Sequence, residues 1–110
     1  MSSIIDVVKN LIGNYYGQQM IQSSNYLFGG DLYYNYEQEC LTEPGERLMQ
    51  EIVANLNKDV ITIDYEIAHN FEGLCNIYIN LGYRLKNSVV EISNEVSHCS
   101  GILVRRRDDE

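Results

Sequence analysis

The sequence predicts an α+β domain of two layers, a mostly antiparallel sheet with helices on one face, in the order α-β-β-α-β-β-α. Three observations carry this. Segments that open on capping residues continue with apolar residues at three- and four-residue spacing. Others alternate apolar and polar residues, and turn-forming Gly, Asn and Asp separate the two kinds. At 110 residues the chain is expected to be a single domain over 1–110, with a short flexible charged tail at 105–110 (RRRDDE).

The first helix is marked by Ser3-Ile4-Ile5-Asp6, an S-x-x-acid start in which the Ser3 hydroxyl accepts a first-turn N–H. Ile4, Val8, Leu11, Ile12 and Tyr15 then form its apolar stripe, and Gly13 and Gly17 weaken its end, which falls between Asn14 and Gln22. A hairpin follows, with strands near 25–28 and 31–40 around Gly29-Gly30, a glycine pair suited to a primed turn. In that reading Leu32, Tyr34 and Tyr36 face inward and Tyr33 faces out.

Glu43-Pro44-Gly45-Glu46 opens the second helix, with proline in the first turn and acids at the positive end of the helix dipole. Its apolar face is Leu48, Met49, Ile52, Val53 and Leu56, and Asn57-Lys58-Asp59 ends it. Ile61, Ile63, Tyr65 and Ile67 alternate with Thr62, Asp64 and Glu66, a half-buried strand that projects Asp64 and Glu66 from one face. The alternation from Cys75 to Leu85 predicts a long second strand. Ser88-Val-Val-Glu91 reads as a capping box opening a last helix, with Val89, Ile92, Val96, Cys99 and Leu103 on one face and Gly101 as its C-terminal cap. That Val89–Leu103 face is the candidate surface for a homodimer.

Charge is the most informative property. The net −8 lies entirely in residues 31–72, which hold ten acids and two bases, whereas the flanking segments are each neutral. Such a field repels phosphate backbones and anionic membranes and attracts cationic surfaces, so direct nucleic-acid and membrane binding are disfavoured and a basic protein surface is the expected partner. No apolar run approaches the ~20 residues of a membrane span. The start, MSSIIDVVKN, lacks the positively charged segment of a signal peptide. Three cysteines, Cys40, Cys75 and Cys99, are an odd number and widely spaced, as expected of reduced thiols in a cytoplasmic protein.

No pattern signals catalysis, a cofactor or a metal. His69, His98 and the cysteines have no zinc-module spacing, and His98-Cys99 point apart as helix neighbours. Gly29-Gly30-Asp31 lacks the lysine and helix of a phosphate loop. What stands out is an aromatic and acidic stretch, since six of the nine tyrosines fall between Tyr15 and Tyr36. Tyrosine anchors with surrounding carboxylates suit a protein interface, although the same tyrosines equally suit a core in a chain with no Trp and two Phe.

The expected partner-binding residues are therefore Asp31, Tyr33, Glu37, Glu39, Glu43 and Glu46, extended by Asp64 and Glu66. The function they suggest is that of a small acidic inhibitor: an immunity protein, an antitoxin or a nucleic-acid mimic that neutralises a basic, nucleic-acid-handling protein. Two alternatives are a homodimeric secretion-type chaperone or assembly subunit, and a small enzyme or ligand-binding domain with a pocket near His69, Cys75 or Tyr83.

Overall fold

The computed structural model describes residues 3–18, 33–35 and 38–107. The chain divides into two compact units, Met1–Leu56 and Asn57–Glu110. Its elements are helices and antiparallel sheets, an α+β fold.

In the first unit, α1 spans Ile4–Ile12 and continues as a π-helical segment through Gly13–Gln18. The Ser3 hydroxyl accepts the Asp6 N–H at 3.2 Å, as its sequence pattern implies. Helix α2, Glu43–Asn55, opens on Thr42, whose hydroxyl accepts the Gly45 N–H at 3.1 Å. The cap is therefore Thr42, with the predicted acids and Pro44 in the first turn after it. Val8 and Ile12 of α1 and Leu48, Met49 and Ile52 of α2 are buried, and the two helices pack on each other.

Between them lies a small ladder, β1 (Tyr34–Asn35) with β2 (Cys40–Leu41), paired Tyr34 to Leu41 and Asn35 to Cys40. The expected single strand over 31–40 is thus folded back on itself. Two local choices turn it: the Asn35 side chain accepts the Gln38 N–H at 3.1 Å, and Glu39 takes a positive φ of 52°. The Thr42 N–H donates to the Tyr33 carbonyl at 3.2 Å and extends the pairing by one step. The expected strand at 25–28 and the Gly29-Gly30 turn lie outside the described residues, as do Leu32 and Tyr36.

In the second unit, β3 is Val60–Ile67, α3 is Ala68–Asn80, β4 is Tyr83–Ser93 and β5 is Val96–Arg105. The sheet order is β3-β5-β4, with β5 antiparallel to both neighbours. Strands β3 and β4 therefore run the same way, joined through α3 with β5 inserted between them, a split β-α-β arrangement. Helix α3 covers one face, where Ile61, Ile63, Cys99, Gly101 and Leu103 are buried, and the other face is open.

Two sequence-based assignments are corrected here, and the order becomes α-β-β-α-β-α-β-β. The first is the strand expected over Cys75–Leu85, whose first part is the end of α3. Phe71, Leu74, Cys75 and Tyr78 also fall at helical spacing, and this pattern prevails: Tyr78 is buried and Ile79 is exposed, the reverse of the strand alternation. Gly82, at φ 102°, turns the chain from the helix into β4, a conformation that only glycine adopts freely.

The second is the helix expected from Ser88 to Gly101. It is a β-hairpin, and the capping box is unused. Its turn is Asn94-Glu95, both at positive φ (53° and 66°), the backbone of a primed two-residue turn built without glycine. Val89, Val90, Ile92, Val96, Ile102 and Val104 give the segment the β-branched content of strands. Gly101 lies within β5 against α3, where an added Cβ would meet Phe71 Cζ at 2.8 Å.

The alternation of β3 also breaks. A register shift between Ile63 and Glu66 is centred on Tyr65 at φ 52°, and Tyr65 turns outward, 51% exposed, instead of inward. Its ring stacks on His98 at 4.4 Å and its N–H donates to Ser100 Oγ at 2.9 Å.

Candidate functional site

The first unit contains a cleft of about 680 Å³, bounded by α1, the Gly13-Asn14 segment, the β1–β2 ladder and the start of α2. Each wall owes its place to a local feature. The polar residues Asp6 and Asn10 of α1 and Asn14 of the π-helical segment recur every four positions and so form a stripe along one side of the first helix. Glu46 sits in the first turn of α2, where the helix dipole favours a carboxylate. Glu39 and Cys40 are brought to the rim by the turn that Asn35 closes. Tyr34 lies against the first helix at Gly13, where an added Cβ would meet Tyr34 Cε2 at 3.0 Å.

Among the described residues the cleft carries three carboxylates, Asp6, Glu39 and Glu46, and one cation, Lys9. Lys9 Nζ stands 3.6 Å from Glu46 Oε1 with both side chains about 40% exposed. A pair so open to water holds together by at most about 1 kcal/mol, so an incoming guanidinium can displace the lysine. Glu39 keeps a left-handed backbone that costs a non-glycine residue about 1 kcal/mol or more, and its neighbours in the turn hold it there.

The expected partner-binding residues separate into groups. Glu39 and Glu46 meet in the cleft. Glu43 instead pairs with Arg47 one turn along α2, on an exposed surface. Tyr33 is half-buried and serves through its carbonyl, whereas Tyr34, assigned inward by the alternation, lines the cleft. Asp31 and Glu37 lie outside the described residues. Asp64 and Glu66 belong to the second unit, and the bulge separates them. Asp64 accepts the Ser100 hydroxyl at 3.5 Å on the open face, whereas Glu66 stands opposite Cys99, in register with the helix-covered side. The expectation of a shared face for these two is therefore corrected.

No protein-family model, curated protein or solved structure matches the chain.

Sequence reasoning missed Asp6, Lys9 and Tyr34 as cleft residues. The four-residue recurrence of Asp6, Asn10 and Asn14 was the available signal, but nothing local showed which element would close over it. Among the described residues no group of three or more His, Cys, Asp or Glu is placed to hold a metal. Cys75 and Tyr83, candidates for an enzyme pocket, are buried, and the Tyr83 hydroxyl donates to the Lys58 carbonyl at 2.6 Å. The side chain of the third candidate, His69, lies outside the described residues.

The three thiols differ sharply in environment. Cys40 is exposed at the cleft rim, while Cys75 and Cys99 are buried. Burial pushes the Cys75 thiol up to about 11, helped by the neighbouring Cys99 and Glu72. Because the thiolate is the reactive form, the native protein is expected to react at Cys40 alone with a disulfide reagent at pH 8, and at all three cysteines once denatured. Rapid native reaction of two or three thiols would contradict this burial pattern.

Proposed function

We propose that this chain is a small acidic protein-binding module that docks on a basic surface of a nucleic-acid-handling protein and neutralises it, in the manner of an immunity protein, an antitoxin or a nucleic-acid mimic. The observation that carries the reading is the cleft that Asp6, Glu39 and Glu46 line together with Tyr34, where Lys9 is the one cation among the described lining residues. Carboxylates arranged around an aromatic wall offer bidentate acceptors to arginine and a ring face for its guanidinium to stack on. The net −8 supplies long-range attraction for the same kind of partner. The reading requires no catalysis and no cofactor. It puts the protein in the cytoplasm, a reducing compartment in which three free thiols persist. No helix among the described residues is long and apolar enough to cross a membrane.

Cys40 makes the reading testable. A photo-cross-linker placed on this exposed rim thiol is expected to trap a basic protein from host extract at low salt and to lose it at high salt. Trapping of acidic or neutral proteins with no salt dependence counts against the proposal.

A second reading, a homodimeric chaperone or assembly subunit, draws support from one surface. Among the described residues the outer edge of β4 borders no other strand, and Val89, Val90 and Ile92 on it are 60%, 62% and 75% exposed. The predicted Val89–Leu103 helical face is not formed, yet an apolar sheet edge invites pairing with another strand. Sedimentation at micromolar concentration is expected to give twice the 12.7 kDa chain mass if this reading holds. A monomer removes its support.

A further inference from the structure

The second unit contains a pocket of opposite sign. It has a volume of about 260 Å³, and among the described residues Arg84, Lys86, Arg105 and Arg107 line it with a single carboxylate, Asp59. Half of the eight basic residues of a strongly acidic chain meet here. A surface selected only for negative charge would not gather them.

The fold places them in three ways. Val60, Val104 and Arg84 stand in one row across β3, β5 and β4, since Val60 pairs with Val104 and Val104 with Arg84. The two valines give the pocket an apolar floor. Lys86 is the extra residue of the bulge between Leu85 and Asn87, a device that re-aims a side chain at the edge of a sheet. Arg105 is held rigidly: Nε donates to Asp59 Oδ1 at 3.0 Å, Nη2 donates to the Lys58 carbonyl at 2.9 Å, and the guanidinium lies 5.1 Å from the centre of the buried Tyr83 ring. The Arg105 N–H also donates to the Asp59 carbonyl, and the Arg106 N–H to the Gly82 carbonyl, which ties down the strand end that carries them.

We propose that this pocket binds the phosphate or pyrophosphate group of a small molecule. The planar guanidiniums of Arg84 and Arg107 beside the Lys86 ammonium suit the several oxygens of a phosphate better than the two of a lone carboxylate. Arg105, engaged by Asp59 and the Lys58 carbonyl, shapes the wall. The volume fits a small anionic group, and the apolar floor accommodates an uncharged part of the same ligand. The overall −8 field opposes an extended polyanion, whereas a small anion needs only the few cations that line the pocket.

The test is a titration of the full-length protein with pyrophosphate at constant ionic strength, followed by backbone amide resonances. Saturable shifts are expected at Arg84, Lys86 and Arg107, with sodium chloride and acetate giving none. Arg84→Gln combined with Lys86→Gln changes two exposed side chains and is expected to weaken binding at least tenfold, while Arg106→Gln, outside the pocket lining, leaves it unchanged. Shifts that rise linearly without saturation, or equal binding by the double variant with its spectrum otherwise preserved, would overturn the proposal. The readout is independent of the acidic cleft, so Asp6→Lys and Glu39→Lys are expected to retain these shifts.

Discussion

Gly45→Ala is expected to destabilise the first unit by roughly 1–3 kcal/mol or more, the range for forcing an extra group into a packed site. On helix propensity alone the change would stabilise, since alanine is better than glycine within a helix by about 1 kcal/mol. Sterics decide the sign. A Cβ at Gly45 would lie 1.9 Å from the Tyr33 carbonyl oxygen and 2.9 Å from its carbon, and both are backbone atoms that no rotamer change can move. The Tyr33 segment must part from α2, and the Thr42 N–H bond to the same carbonyl goes with it. That segment leads into β1 and the cleft wall, so partner affinity should fall together with stability. The midpoint of urea unfolding measures the effect, and an unchanged or raised midpoint would show that the helix and the strand do not approach this closely.

In the second unit the largest effect is expected at Tyr83. Its side chain is fully buried, meets Tyr78 edge-to-face at 5.7 Å, supports the Arg105 guanidinium on its face and donates to the Lys58 carbonyl. Tyr83→Ala leaves a cavity and should cost about 3–5 kcal/mol. Tyr83→Phe keeps the ring and loses one hydrogen bond. The carbonyl left behind still accepts from Arg105 Nη2, so the expected cost is only about 1 kcal/mol. Thermal or denaturant unfolding of the two variants separates packing from hydrogen bonding. A phenylalanine variant as unstable as the alanine one would contradict the account.

The legible parts of the fold were those in which local chemistry and tertiary packing agree. Ser3 and the Glu43-Pro44-Gly45-Glu46 run announce helices whose apolar faces are the ones buried, and Ile61 and Ile63 alternate inward as their spacing requires. Errors arose where one segment satisfies two periods. Residues 71–79 carry both a strand and a helix pattern, and only packing against the sheet chooses between them. Residues 88–103 carry a heptad-like spacing, and the turn that converts them into a hairpin is Asn94-Glu95, which lacks the glycine usually taken as the signal. The bulge at Tyr65 follows from no local motif, and it is what separates Asp64 from Glu66.

The charge of the cleft was legible in the sequence, and its assembly was not. The concentration of acid in residues 31–72 is plain from the sequence, and Glu39 and Glu46 do line the cleft. Asp6 and Lys9 join them from outside that block, because α1 packs against α2, a contact that no sequence spacing encodes. Glu43 lies outside the cleft lining and pairs with Arg47 one turn away. The basic pocket was hidden by arithmetic: residues 73–110 sum to neutral, while the fold gathers four of their cations around one pocket.

The central claim is that the cleft of Asp6, Glu39 and Glu46 recognises a cationic protein surface. Its most direct test is the affinity of the full-length protein for the basic partner trapped through Cys40, measured across salt concentrations for the parent and for Asp6→Lys combined with Glu39→Lys. Reversing two contacting charges should cost several kcal/mol, and so roughly 100-fold or more in affinity. The account predicts steep weakening of the parent with salt and a loss of that size in the variant at low salt. Equal affinity of parent and correctly folded variant would contradict it.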